Sequence, residues 1–283
     1  MFIVGMLRYI YTPDIYNAVR LTLILVFITY VCTLVLEWPF VAFCFRGKSH
    51  WFRRSVLASL LVQTLSYLIL FSGFWFISFK SLYADFSIVP PDRILLPADV
   101  SVYFISNTDG NVYRRSGTNE HELIAHLAST NDLNFLRIQE SEDTSNSWDL
   151  VAVIPDRYHY DNSVPIIKDI ITGTDQSFYQ THFYNTWGEA PRIGSATKST
   201  WHFNWEYWCL QGEDEKSDEF IFVAFDNPML NLSIRVANQL PEHKVLFQLG
   251  KDQLCLLDVD KREIAVWDRG YGPVAIAEKE KNK

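Results

Sequence analysis

The chain reads as a two-helix transmembrane hairpin followed by an α+β, strand-dominated soluble domain, arranged as a sandwich or a strongly twisted sheet, with a small propeller as the alternative. Three observations carry that expectation. Two apolar runs, 21–45 and 55–79, flank a nine-residue loop that holds Arg46, Lys48, Arg53 and Arg54. Past Asp85 the sequence turns charged and polar. From Val100 onward, apolar residues recur with period two in short runs separated by turn formers.

Each apolar run has 25 residues, which at ~1.5 Å per residue makes roughly 37 Å of helix, enough to cross a ~30 Å hydrocarbon layer with some tilt. A cleaved signal peptide has a shorter apolar stretch and a small-residue cleavage pattern, and the first run fits neither. Segment 1–20, whose first eleven residues are apolar and aromatic apart from Arg8, is expected to lie along the interface. Short loops rich in Lys and Arg stay on the cytoplasmic side. Loop 46–54 is therefore expected to be cytoplasmic and the soluble domain extracytoplasmic, against a weaker opposing bias from Arg8, Arg20 and Lys80.

Charge divides the same way. Residues 1–84 hold seven basic and two acidic side chains, a net of +5, which leaves −13 for residues 85–283 out of the chain's −8. A soluble part of that sign repels phosphate backbones, so the expected partners are the lipid bilayer and other membrane subunits, with no nucleic acid. Of the four cysteines, Cys32 and Cys44 fall in the first run and Cys209 and Cys255 in strand-like segments. The latter two are read as buried free thiols, with a disulfide between them as the alternative.

Glu37 stands out because an ionised carboxylate inside a span costs several kcal/mol unless paired or close to water. With the hairpin centred on His50, position 37 lies level with Gln63, and Ser66 and Tyr67 follow one turn along the second helix. Pro39 frees a carbonyl nearby. The plainest reading of Glu37, Gln63, Ser66 and Tyr67 is a polar clamp between the helices. Snorkelling, or a proton or ion site completed by other helices, are the alternatives.

Segment 84–99, with Pro90, Pro91 and Pro97, reads as an extended linker, leaving 100–283 as the domain. Strands are expected at 100–105 and 112–114 around the turn signal Asp109-Gly110, then at 135–139, 148–154, 200–211, 219–225, 232–237, 245–249, 253–258 and 263–268. Arg269-Gly270-Tyr271-Gly272-Pro273 reads as a closing turn. Two helices are expected. One is capped by Thr118, with Leu123, Ile124 and Leu127 at helical spacing; the other is capped by Ser163, with Pro165 in its first turn and Ile166, Ile167, Ile170 and Ile171 following.

Segment 201–208 is the most aromatic of the soluble part. Alternation puts Trp201, Phe203, Trp205 and Tyr207 on one face and His202, Asn204, Glu206 and Trp208 on the other, with Trp187 upstream. The second face, with Trp187, is a candidate ligand-binding set, since indole beside polar groups suits sugars and quaternary ammonium groups. A strand packed on both sides is the plainer reading, and contact with the bilayer surface a third. His121 and His126 are five apart and share no helix face for zinc. Asp143, Ser145, Ser147 and Asp149 lack the glycine and the closing Glu of a calcium loop. No nucleophile elbow or phosphate loop appears; no metal or cofactor is expected, and the residues that would form any catalytic set are not legible in the sequence. The expectation is a membrane-anchored extracytoplasmic interaction or scaffold module, an accessory subunit of a membrane assembly. A surface or periplasmic enzyme and a transport subunit using Glu37 are the alternatives.

Overall fold

The computed structural model describes residues 14–77, 85–117, 120–131, 133–155, 163–172, 187–190, 192–194, 201–204, 209–214, 219–224 and 232–278. They fall into two units, a helical one within 1–80 and a strand-rich one from Asp85 on.

In the helical unit, α1 (Ala18–Phe45) and α2 (Trp51–Ile77) form a hairpin. Both are long and apolar enough to cross a membrane, and only 11% of either apolar window is buried. A core helix of that composition would be mostly covered. Here Leu36, Phe40 and Phe43 are 70%, 76% and 73% exposed. Pro39 sits inside α1 without ending it, as spans tolerate when nearby groups meet the freed carbonyl. The reversal uses left-handed backbone at Gly47 (φ 92°) and His50 (φ 57°). Lys48 N–H donates to Phe45 O at 3.1 Å and Arg54 N–H to His50 O at 3.1 Å.

The strand-rich unit opens with β1 (Ser87–Ile88) and a 3₁₀ turn (Pro91–Arg93), then β2 (Val100–Ser106), β3 (Val112–Ser116), β4 (Glu122–Ala125), β5 (Phe135–Glu140), β6 (Ser147–Val153) and β7 (Ser163–Thr172). It continues through β8 (Trp187–Glu189), β9 (His202–Asn204), β10 (Cys209–Asp214), β11 (Glu219–Val223), β12 (Ile234–Leu240), β13 (Lys244–Leu249), β14 (Gln253–Asp258) and β15 (Glu263–Ala277). Eight strands make a curled antiparallel half-barrel in the order β12-β13-β14-β15-β2-β3-β4, with β1 parallel to β15. A four-stranded sheet runs β11-β10-β9-β8 and a three-stranded one β5-β6-β7. The twisted-sheet expectation holds. The propeller does not, because one continuous sheet, not radial blades, carries the core.

Alternation decides which side chains go to which face. Val100, Val102 and Phe104 of β2 join Leu246, Leu254, Leu256, Ala265 and Trp267 in one core. Tyr103 and Ile105 point the other way, to Leu136, Ile138, Leu150 and Ala152 of β5 and β6, so the three-stranded sheet covers that face. Residues 85–99 contribute to the packed unit. Phe86, Ile94 and Leu96 are buried, and Ser87 pairs with Glu263, because three apolar side chains at the sheet rim gain more from burial than from solvent.

The Asp-Gly tip forms as expected, with Ser106 N–H donating to Asn111 O at 2.9 Å and Gly110 at φ 70°. Asp109 accepts hydrogen bonds from Tyr113 Oη at 2.7 Å and from Asn111 N–H at 3.1 Å. Desolvation raises its carboxyl, but the Tyr113 and Asn111 donors outweigh it and bring the pKa down to about 2. A depressed carboxyl stabilises above its unfolded value of ~3.9 and loses that contribution as pH falls through the folded value. Asp109→Asn is therefore expected to lower Tm at pH 5, with the gap to wild type closing between about pH 4 and pH 2. A gap that stays constant over a Tm-against-pH series would refute this linkage.

Both expected helices are strands. Segment 120–127 supplies β4, which lines the otherwise open edge of β3, and Asn111 Oδ1 accepts from Leu127 N–H and Ala128 N–H, both at 3.1 Å. Residues 118 and 119 lie outside the described residues. Segment 163–172 is β7, whose isoleucine pairs imitate helical spacing through a bulge. The register against β6 shifts around Leu150, and Asp169 adopts φ 52°. That reset leaves Ile166, Ile167, Ile170 and Ile171 packed against the second core. β-branched isoleucines suit such a strand.

The expected closing turn at 269–273 is a kink inside β15. This strand pairs with β14 through Arg269 and with β2 from Gly270 on, with a register shift between Tyr271 and Val274. Buried amides on β13 and β12, two and three strands away in the sheet order, take up the freed backbone groups. Asn238 Nδ2 donates to Pro273 O at 3.2 Å, Asn238 Oδ1 accepts from Ala275 N–H at 3.4 Å, and Gln248 Oε1 accepts from Gly272 N–H at 2.9 Å. Both glycines are required by contact: a Cβ on Gly270 would meet Ile105 O, and one on Gly272, at φ 51°, would meet the Phe135 backbone. The expected strand at 200–211 divides into β9 and β10, which pair with each other across residues 205–208.

Candidate functional site

α2 presents Ser55, Ser59, Gln63 and Tyr67 at four-residue spacing, one stripe along the helix. The first three are buried, and α1 meets the stripe with polar groups of its own. Trp38 Nε1 donates to Ser55 Oγ at 3.2 Å, and Gln63 Nε2 donates to Glu37 Oε2. The Thr33 and Tyr67 hydroxyls lie 3.5 Å apart, and those of Tyr30 and Thr64 2.9 Å. The Tyr30 and Tyr67 rings meet edge to face at 5.3 Å. Of the four residues singled out in this region, Glu37, Gln63 and Tyr67 stand among these cross-links, whereas Ser66 is exposed beside the stripe. Ser55 and Ser59 were not singled out, although counting back by fours from Gln63 finds both.

Gln63 is 6% exposed while Glu37 is exposed, so the amide is the member that cannot find another partner. Gln63→Leu is expected to destabilise the hairpin by about 0.6–2 kcal/mol, the range for polar contacts between helices in apolar surroundings. Thermal unfolding of the detergent-solubilised chain reads this, and an unchanged midpoint would count against the pairing.

In the strand-rich unit, Trp187 pairs with Asn204 in the β8–β9 register, and His202 lies between Glu189 and Gln211. His202 is half-buried. Glu206 and Trp208 lie outside the described residues. Trp201, the residue before β9, is 1% exposed, and its indole lies flat on Gly212 of β10, where a Cβ would meet the ring. This part of the aromatic segment is core. Cys209 and Cys255 are buried free thiols, and burial pushes Cys209 up to about 11, far from a reactive thiolate.

A further cluster joins β3, β15 and the segment entering β4. Asp268 Oδ2 accepts from Arg115 Nη1 at 2.9 Å and from His121 Nε2 at 2.6 Å. The Arg115 guanidinium lies 4.6 Å from the Trp267 ring, and Phe104 packs edge to face on both Trp267 and His121. Next to it, Arg269 reaches Asp252 Oδ1 at 3.3 Å, and Asn107 Nδ2 donates to Asp252 Oδ2 at 2.6 Å. In the sequence His121 has His126 as its near companion, whereas Asp268 lies 147 residues away. The carboxylate is divided between a guanidinium and an imidazole, an arrangement that ties strands together. Among the described residues, no group of three His, Cys, Asp or Glu side chains is placed to hold a metal ion.

No protein-family model matches this chain, and no curated protein is similar to it.

Proposed function

We propose that the protein is a two-span membrane protein whose hairpin anchors an extracytoplasmic, strand-rich interaction module, an accessory subunit of a membrane assembly. The observation that carries this reading is the row of polar cross-links between the two helices of the hairpin. Trp38, Thr33, Tyr30 and Glu37 spend their hydrogen-bonding capacity on Ser55, Tyr67, Thr64 and Gln63 of the facing helix. The exposed surface of both helices is dominated by large apolar side chains, as an anchor in hydrocarbon requires. In the strand-rich unit, the charged groups nearest to a catalytic arrangement, Asp268 with His121 and Arg115, act as a cross-link between strands. That favours binding over chemistry.

Loop 46–54, with its four basic residues, faces the cytoplasm on this reading, and the acidic module faces outward. Alkaline phosphatase fused after residue 283 is then active, and an inactive fusion overturns the orientation. The assembly is tested by native electrophoresis of membranes solubilised in mild detergent. The protein is expected in a species larger than its monomer in a micelle, and purely monomeric migration would overturn the accessory-subunit reading.

A further inference from the structure

The tip of the hairpin carries more charge than reversal of the chain requires. Arg46, Lys48, Arg53 and Arg54 are all exposed, and among the described residues none of them makes an ion pair. From Trp38 to Ala84 the sequence contains no acidic residue. Arg53 and Arg54 stand in the first turn of α2, which holds no acidic side chain. The first turn of a helix attracts anions and repels cations, at about 0.3–1 kcal/mol per charge. Two arginines there are unfavourable until an anion joins them.

The groups beneath the cations are fixed. The Trp38 and Phe52 rings meet edge to face at 5.6 Å, and those of Trp51 and Phe52 at 6.0 Å. The Trp38 indole is tied to Ser55, and Lys48 Nζ stands 5.4 Å from the centre of the Phe45 ring. Such an aromatic collar sits at headgroup depth in a bilayer. The cations stand among these rings, Arg46 and Lys48 just after Phe45 and Arg53 and Arg54 directly after Phe52, and Phe40, Phe43 and Leu57 present exposed apolar surface within two turns of them.

From this juxtaposition we infer that the hairpin tip is a binding site for anionic phospholipids. The cations take the phosphodiester headgroup, and the apolar faces beside the collar take the acyl chains. The inference rests on the two-span reading but not on which side of the membrane the tip occupies. A free phosphate would satisfy the charges alone, and only a lipid uses both parts. The backbone hydrogen bonds of the reversal fix the main-chain positions from which the cations extend, so the loop itself need not be ordered on binding.

The test uses the full chain in nonionic detergent, titrated separately with dioleoylphosphatidylglycerol, dioleoylphosphatidylcholine and sodium phosphate. Native mass spectrometry counts retained lipid, and thermal unfolding reports the gain in Tm. Phosphatidylglycerol is expected to be retained and to raise Tm, phosphatidylcholine to do neither, and inorganic phosphate at the lipid's concentration not to compete. Each neutralised cation should weaken retention roughly fivefold, so R46Q/K48Q and R53Q/R54Q each lose about 25-fold, while K168Q in the other unit changes nothing. Equal retention of the two lipids, displacement by phosphate, or wild-type retention by both double variants would overturn the site. Failure of the two-span reading shows separately, as a chain monodisperse in buffer without detergent before any lipid is added.

Discussion

Trp201→Ala is expected to destabilise the strand-rich unit by about 3–5 kcal/mol, the usual cost of removing a fully buried large aromatic side chain, and so to lower its Tm by roughly 10 °C. The indole is 1% exposed and covers Gly212 on the adjacent strand. Its removal opens a cavity above a glycine, and a glycine has no side chain with which to fill it. Far-UV circular dichroism of the solubilised chain follows the transition without depending on the lost fluorophore. The same geometry predicts coupling. Gly212→Ala puts a methyl into the ring in the wild type, but into vacant space once Trp201 is alanine, so the double variant should be clearly less destabilised than the sum of the singles. Additive losses would show that the ring and the glycine do not touch.

Gly272→Ala is expected to cost about 2–5 kcal/mol. Left-handed backbone at φ 51° costs a non-glycine residue about 1–2 kcal/mol, and overpacking against the Phe135 backbone adds about 1–3 kcal/mol. Gly117 separates the two contributions. It has φ 56° with nothing within 4 Å of an added Cβ, so Gly117→Ala should show the backbone part alone, near 1–2 kcal/mol. If the two alanines cost the same under denaturant titration, crowding at the kink is excluded.

Much of the architecture was legible in the residues because its signals are local. Two apolar runs on either side of a basic loop give the helices, and the structure moves their ends by only a few residues. Asp109-Gly110 marks a hairpin whose turn needs positive φ, and from Lys244 to Asp268 short apolar runs separated by turn formers give strands that are buried on both faces. The errors fell where the local signal was ambiguous. Ile166, Ile167, Ile170 and Ile171 match a helix stripe as well as they match a strand with a bulge, and only the neighbouring β6 with its shifted register resolves that. The glycines and proline at 270–273 mean a turn in isolation, and Asn238 and Gln248, distant in sequence, make them a kink in a continuous strand. For the candidate sites the pattern is the same. Gln63 follows from counting residues about the reversal, whereas nothing near His121 in sequence points to Asp268.

By itself the sequence determined the composition of the two parts, the lengths of the apolar helices, the tight turns and the strand-rich class, because these depend on period, span and backbone preference within a few neighbouring residues. The tertiary structure alone decided the strand identity of 122–125 and 163–172, the passage of β15 from one partner to the next, and the sharing of Asp268 between Arg115 and His121. Those outcomes come from hydrogen bonds and packing between segments far apart in the chain, and their free energy exceeds the small local preferences that a short stretch of residues expresses.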